Sequence, residues 1–160
     1  IQHFEYAIPF LTKIKRKYKD QIEIKVIGDS SYTNLELDIH GIAWSKDTEI
    51  NELSSFDIGI MPLPNDEWSN GKCGLKGLQY MAIAIPTIMS PVGVNTEIIS
   101  DGENGFLANS DDEWIIKIEA LIESKELRSK LGEKGRDTII KKYSVEANKM
   151  KYLTYFNELL

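Results

Sequence analysis

The sequence is poor in the residues that build covalent bridges and metal centres. Of its 160 residues, one is cysteine and two are histidine. Cys73 alone cannot close an internal disulfide, which excludes a secreted scaffold held by bridges. His3 and His40 stand apart, with no Cys, Asp or Glu at ligand spacing, so both read as structural and no metal site is expected. Long apolar runs are lacking as well: a stretch such as residues 58–63 is far too short to span a bilayer. No signal peptide is expected from a start that reaches His3 and Glu5 within five residues. Positive charge is scarce in the middle of the chain, where residues 29–70 hold nine acidic groups against Lys46 alone. A nucleic-acid surface needs clustered Lys and Arg to neutralise phosphates, so nucleic acid is not expected as a partner. The basic cluster between Lys13 and Lys19 reads as a solvated helix end. Asp66 and Glu67 read as solvated loop acids.

What remains is one domain's length of chain with 42% hydrophobic residues. That suffices for a full core and leaves no room for two large domains. Phe4, Ile8, Leu11 and Ile14 recur at helical spacing and predict a helix over 1–18. Residues 22–27 alternate β-branched and charged groups up to Gly28, which predicts a strand. A shorter strand is predicted over 35–39, a short helix over 48–54, and a strand buried on both faces over 57–63. The polar stretch 64–71 reads as a loop, followed by a helix over 73–84, a strand over 86–90 and a loop to Asn95. A short helix near 96–100, a turn at 101–105 and the segment 106–108 come next. Helices are predicted over 111–123, 125–142 and 145–160, with Ser110 and Ser144 as caps and Trp114 on a core face. Strands alternating with helices predict an α/β domain with a Rossmann-like parallel sheet and helices on both faces. Such a domain normally begins with a strand, whereas this chain opens on Ile1 inside a helical pattern. The expectation is a piece of a longer protein, with the first strand missing from residues 1–160.

In open α/β sheets, ligands sit beyond the carboxyl ends of the strands. Three loops qualify: 40–46, 64–74 and 90–96. The middle one is the most unusual. Asn70, Gly71 and Lys72 stand just before a helix, with Cys73 beside them and Gly74 and Gly77 in its first turns. Free N–H groups at a helix start attract anions, glycine permits close approach, and Lys72 adds a full charge. Lys76 and Tyr80 share a helix face with Gln79 beside them, a spacing that fits a phosphate-bearing ligand. The same residues also fit a plainer role, in which the glycines let the helix pack on the sheet and both lysines are solvated. There is neither a dinucleotide fingerprint nor a GxxxxGK[ST] loop. With no histidine nearby in sequence, Cys73 is not expected to act as a nucleophile.

The ordered run from Phe56 to Leu107, with "NGKCGLKGLQYMA", "SPVGVNTEI" and "DGENGFL" in sequence, resembles the C-terminal half of bacterial GT-B glycosyltransferases of the family 4, group 1 type. The resemblance extends more weakly over "IKVIGD", "IHGIAW" and "LRSKLGEKGRDTIIKKYS". It implies a domain that binds a nucleoside diphosphate sugar and faces an acceptor-binding N-terminal domain across a cleft, with residues 144–160 as a helix packing toward that domain. Most members carry a Glu-x7-Glu pattern whose second glutamate holds the ribose. Here Gln79 takes that position and Gly71 the first, so one contact loses its charge and the other its side chain. Lys72 and Lys76 are implied as the replacements, steadying the phosphates and the leaving group. Gly93 and Val94 match the loop that presents backbone N–H groups to the sugar or phosphates. Asn95 lies nearby, and Glu97 serves that site or braces its own short helix. Gly41 and Ile42 match the turn whose backbone reads the base, with Trp44 close by. The implied reaction is transfer of a hexosyl unit with retained configuration, without a metal or other cofactor. The resemblance also implies surface polysaccharide assembly (capsule or lipopolysaccharide) in the cytoplasm, at the inner membrane only through the full-length protein.

The chain alone, lacking an acceptor domain, is expected not to catalyse transfer. Two further readings share this architecture: a nucleotide-sugar epimerase, and a degenerate module that binds a nucleotide or a partner without catalysis. The first needs dedicated acids in the cleft, which the helix over 73–84 does not supply. The second draws on Gly71 and Gln79. A phosphoacceptor receiver domain would need an acidic cluster at early strand ends, and Asp29 alone is poor support.

Overall fold

The computed structural model describes residues 3–158; the outermost residues of the first and last expected helices lie outside them. A 3-10 turn at Phe4–Ala7 leads into α1 (Ile8–Tyr18), where Pro9 sits in the first turn and Lys15, Arg16 and Lys17 in the last. Proline at the start loses no helical hydrogen bond, and cations at the end oppose the helix dipole. α1 buries Phe10, Leu11 and Ile14.

Residues 22–27 do not form the expected strand. They make one parallel bridge, Ile27 to Ile42, held by Gly28 N donating to Ile42 O and Ile42 N to Val26 O, both at 2.8 Å. The strand expected over 35–39 is instead the turn of a small antiparallel hairpin, β1 (Thr33–Asn34) with β2 (Ile39–His40). Its tip is fixed by Asn34 Oδ1, which accepts from Leu37 N at 3.0 Å, an interaction period-2 patterning does not register. α2 (Glu49–Ser54) follows.

The central sheet is parallel and has three strands: β3 (Gly59–Met61), β4 (Thr87–Met89) and β5 (Phe106–Leu107). Ile60 pairs with Ile88, and Ile88 with Phe106. Between β3 and β4 lie α3 (Glu67–Asn70), within the stretch expected to be loop, and α4 (Leu75–Ala82), shorter at both ends than expected. α3 escapes periodicity because it is polar; Asp66 caps it by accepting from Ser69 N at 2.7 Å. α5 (Asn95–Ile98) follows β4, and α6 (Asp111–Glu123), α7 (Lys125–Thr138) and α8 (Val145–Asn157) close the chain. Ser110 and Ser144 cap α6 and α8. The helix expected over 125–142 widens into a π-helical turn at Ile139–Tyr143.

Both faces of the sheet are covered, as β4 shows by alternation. Ile88 joins the cluster of α1 and α6, where Phe10 stacks on Trp114 with centroids 4.9 Å apart. Met89 joins Met81, Ile98 and Ile99 from the other side. In the doubly wound order 3-2-1-4-5-6, residue 42 and segment 22–27 occupy places 3 and 2, and β3 to β5 occupy places 4 to 6. Place 1 falls on a groove of about 580 Å³ between segment 21–27 and β3, floored by Leu11, Ile14, Ile118 and Ile122.

Candidate functional site

The loops beyond the carboxyl ends of β3 and β4 are tied together. Leu63 N donates to Ser90 Oγ at 2.8 Å, and Ser90 O accepts from Asn95 Nδ2 at 3.0 Å. Gly93 N donates to Asn70 Oδ1 at 3.1 Å, while the Asn70 amide donates to Asn65 Oδ1 and Asp66 O. Gly93 has φ +53°, and a Cβ there would lie 2.6 Å from Asn70 O, so only glycine lets the loops meet. The structure therefore brings Gly93 against the 64–74 loop, its N–H spent on Asn70 instead of facing outward as expected, while Val94 packs against the Met81 and Met89 cluster. Asn95 is buried, its amide spent on bracing the turn, while Glu97 is exposed on α5.

Because α4 begins at Leu75, Lys72, Cys73 and Gly74 form the approach to the helix rather than its first turn. Gly74 holds φ +70° in the left-handed region, with Ile98 packed where a Cβ would go. Gly77 lies directly on Met89, so Gly74 serves close packing against α5 and Gly77 close packing of α4 on β4. Gly71 and Cys73 are exposed. Lys72 and Lys76 line the groove together with Tyr80. Tyr80 packs its ring on Gly59 and near Phe56, and burial pushes its phenol up to about 12.

A residue that sequence reasoning did not single out stands at the centre. Glu49, the first residue of α2, accepts from Lys76 Nζ at 3.0 Å and Gln79 Nε2 at 3.2 Å, both through Oε1. These hydrogen bonds, with one from the Trp44 indole, hold its carboxyl below the ordinary range, Lys76 contributing most. Glu49 is therefore ionised at neutral pH. Lys76 remains half exposed and keeps donors for a phosphate. Nothing in the sequence marks Glu49, because 27 and 30 residues separate it from Lys76 and Gln79. At the expected base-reading turn, Gly41 N donates to Tyr32 O and Ile42 N to Val26 O, so both N–H groups are committed within the protein. Asp29 accepts from Ser31 N and Oγ, which makes it a turn-former.

Residues 2–124 match the family described as "Glycosyl transferases group 1". The chain belongs to this family. Among curated relatives, an uncharacterised glycosyltransferase of Methanocaldococcus jannaschii is 39% identical over 88 residues, covering 54% of this chain and 25% of its own. N-acetyl-alpha-D-glucosaminyl L-malate synthase of Bacillus anthracis is 26% identical over 129 residues, covering 79% and 33% respectively. The chain thus spans a third or less of these relatives' length. In three dimensions it resembles the C-terminal domain of the group 1 glycosyltransferase LpcC from Francisella tularensis. The TM-score is 0.70 at 24% identity, with 89% of this chain and 80% of that one covered. It also resembles S. aureus TarM, determined in complex with UDP, with TM-score 0.76 at 21% identity and 96% and 32% covered. These neighbours are GT-B glycosyltransferases, and the fold is theirs. No described helix is long and apolar enough to cross a membrane.

Proposed function

We propose that this chain is the donor-binding domain of a retaining glycosyltransferase that moves a hexosyl unit from a nucleoside diphosphate sugar, in surface polysaccharide assembly. The observation that carries the reading is the junction of the two strand-end loops at Gly93 and Asn70, with Lys72 two residues beyond Asn70 and lining, together with Lys76, the groove beside β3. When the sugar leaves, negative charge develops on the diphosphate. The ammonium groups of Lys72 and Lys76 stabilise that charge. UDP is the first nucleotide to test, because TarM and Anabaena HepE were both determined with it.

The acceptor belongs to a second domain in this proposal. α8 supports it: Val145, Met150, Tyr152, Leu153, Tyr155 and Phe156 are all exposed on a helix with no buried residue among those described. A row of apolar groups of that size marks an interaction face. The epimerase reading needs an acid free to exchange protons, whereas Glu49 is ion-paired and held ionised. The test is a transfer assay with UDP- and GDP-sugars on the chain and on the longer protein joined to its upstream domain. The longer protein should transfer with retained anomeric configuration, and the chain alone should only bind. Binding without transfer by the longer protein would favour the non-catalytic module.

A further inference from the structure

Pro62 and Leu63 form a wall shared by two spaces. They line the groove beside β3 and also a smaller cavity of about 180 Å³ at the carboxyl ends of all three sheet strands. The smaller cavity takes its lining from the segments that follow β3, β4 and β5. Phe10 and Trp114, stacked and buried, reach it from α1 and α6, and half-exposed Tyr6 from the turn before α1. Much of its polar lining is free. Among the described residues, the Tyr6 hydroxyl, the Asn109 side chain and Asn65 Nδ2 have no hydrogen-bond partner, and Asp111 has only a 3.9 Å ion pair with Lys13.

The charge of this cavity differs from that of the groove. No lysine, arginine or histidine lines it, and α6 opens with Asp111, Asp112 and Glu113. Carboxylates there repel a phosphate, whereas the groove across the wall holds Lys72 and Lys76. Its volume excludes a nucleotide, since sites for ligands of that size begin at about 300 Å³. What fits is one small uncharged ring bearing several hydroxyls. The hydroxyls answer the amides and the carboxylate, and the C–H face of the ring lies on aromatic carbon. The cavity also adjoins the strand-end loops: Asn65 Oδ1 accepts from the Asn70 amide at 3.0 Å, and Asn70 Oδ1 from Gly93 N at 3.1 Å.

We propose that this cavity seats a neutral sugar unit of the acceptor, so that the acceptor held by the second domain also touches this one. The inference rests on the donor-binding reading above and adds to it a second ligand site of different charge. Phosphate belongs beside Lys72 and Lys76, and uncharged sugar beside Asn109 and Asp111.

The test is NMR titration of the isotope-labelled chain with the methyl glycosides of glucose, galactose and mannose, with inorganic phosphate as the control. At least one glycoside at millimolar concentration should shift Tyr6, Asn109, Asp111 and the Trp114 indole to saturation, and phosphate should leave them in place. Asn109→Ala, its fold checked by its melting curve, should raise the glycoside Kd about fivefold, the worth of one neutral hydrogen bond, and leave UDP affinity unchanged. Tyr6→Phe keeps the ring and should weaken the glycoside less than Tyr6→Ala. If UDP binds but no glycoside moves these signals, if phosphate moves them as strongly, or if Asn109→Ala leaves the glycoside Kd unchanged, the sugar site is overturned and the donor site survives. If glycosides bind here and UDP does not bind the chain, the donor reading fails and the assignment to an acceptor falls with it.

Discussion

Gly93 N and Asn70 Oδ1 meet at 3.1 Å, joining the loop after β4 to the end of α3 across 23 residues of sequence. The joint depends on both partners. Gly93→Ala places a methyl carbon 2.6 Å from Asn70 O at a backbone angle that L-residues resist. It should cost about 1–3 kcal/mol of stability, read as a lower urea midpoint. Asn70→Ala removes the bonds to Gly93, Asn65 and Asp66. Its main effect should be on nucleotide affinity, with Kd rising about tenfold, or ~1.4 kcal/mol.

Lys72 and Asp66 flank the same loop with opposite charge, which allows a controlled comparison. Lys72→Ala should raise the Kd for UDP about tenfold, ~1.4 kcal/mol, and flatten the dependence of binding on salt. Asp66→Ala removes a helix cap and should alter affinity much less. Equal losses in the two titrations would count against this loop as a phosphate site.

The buried phenol of Tyr80 gives a signature at high pH. Burial raises its folded-state value to about 12 from an ordinary 10.0. A raised value means that the folded state holds the proton longer than the unfolded one. The associated stability is therefore intact below pH 10 and declines as pH rises toward 12. Tyr80→Phe keeps the ring against Gly59 and removes the titration. Melting temperatures recorded between pH 8 and 11.5 should fall less steeply in the variant than in the wild type.

The groove beside β3 is expected to take the first strand of a longer chain. Both of its walls carry backbone that a parallel neighbour would pair. Amide exchange at residues 22–27 and 59–61 should be at least tenfold slower in the longer protein than in residues 1–160. Identical exchange in the two would remove the basis for a strand there.

The sequence makes the sheet and its cover legible where burial leaves a pattern. The apolar runs around Ile60 and Ile88 mark β3 and β4, and Ser110 and Ser144 mark the starts of α6 and α8. Residues 22–27 carry a strand pattern yet pair at one point, because extended pairing depends on the neighbour and not on the segment itself. α3 is hidden by its polarity, and the hairpin around Leu37 is formed by an asparagine turn. At the site, Lys72, Lys76, Gln79 and Gly93 stand out by local spacing or by resemblance. Glu49 does not, since its partners lie 27 and 30 residues away, and the bond from Gly93 to Asn70 across 23 residues is likewise introduced only by the fold.

The central claim is that the strand-end loops and α4 form a nucleotide-sugar donor site. Its most direct test is titration of the isotope-labelled chain with UDP, GDP and their sugars, followed by NMR shift perturbation. The account predicts shifts centred on residues 71–79 and 93–97 together with Glu49, and little change on α8. An unchanged spectrum at millimolar ligand, or shifts confined to other surfaces, would contradict it.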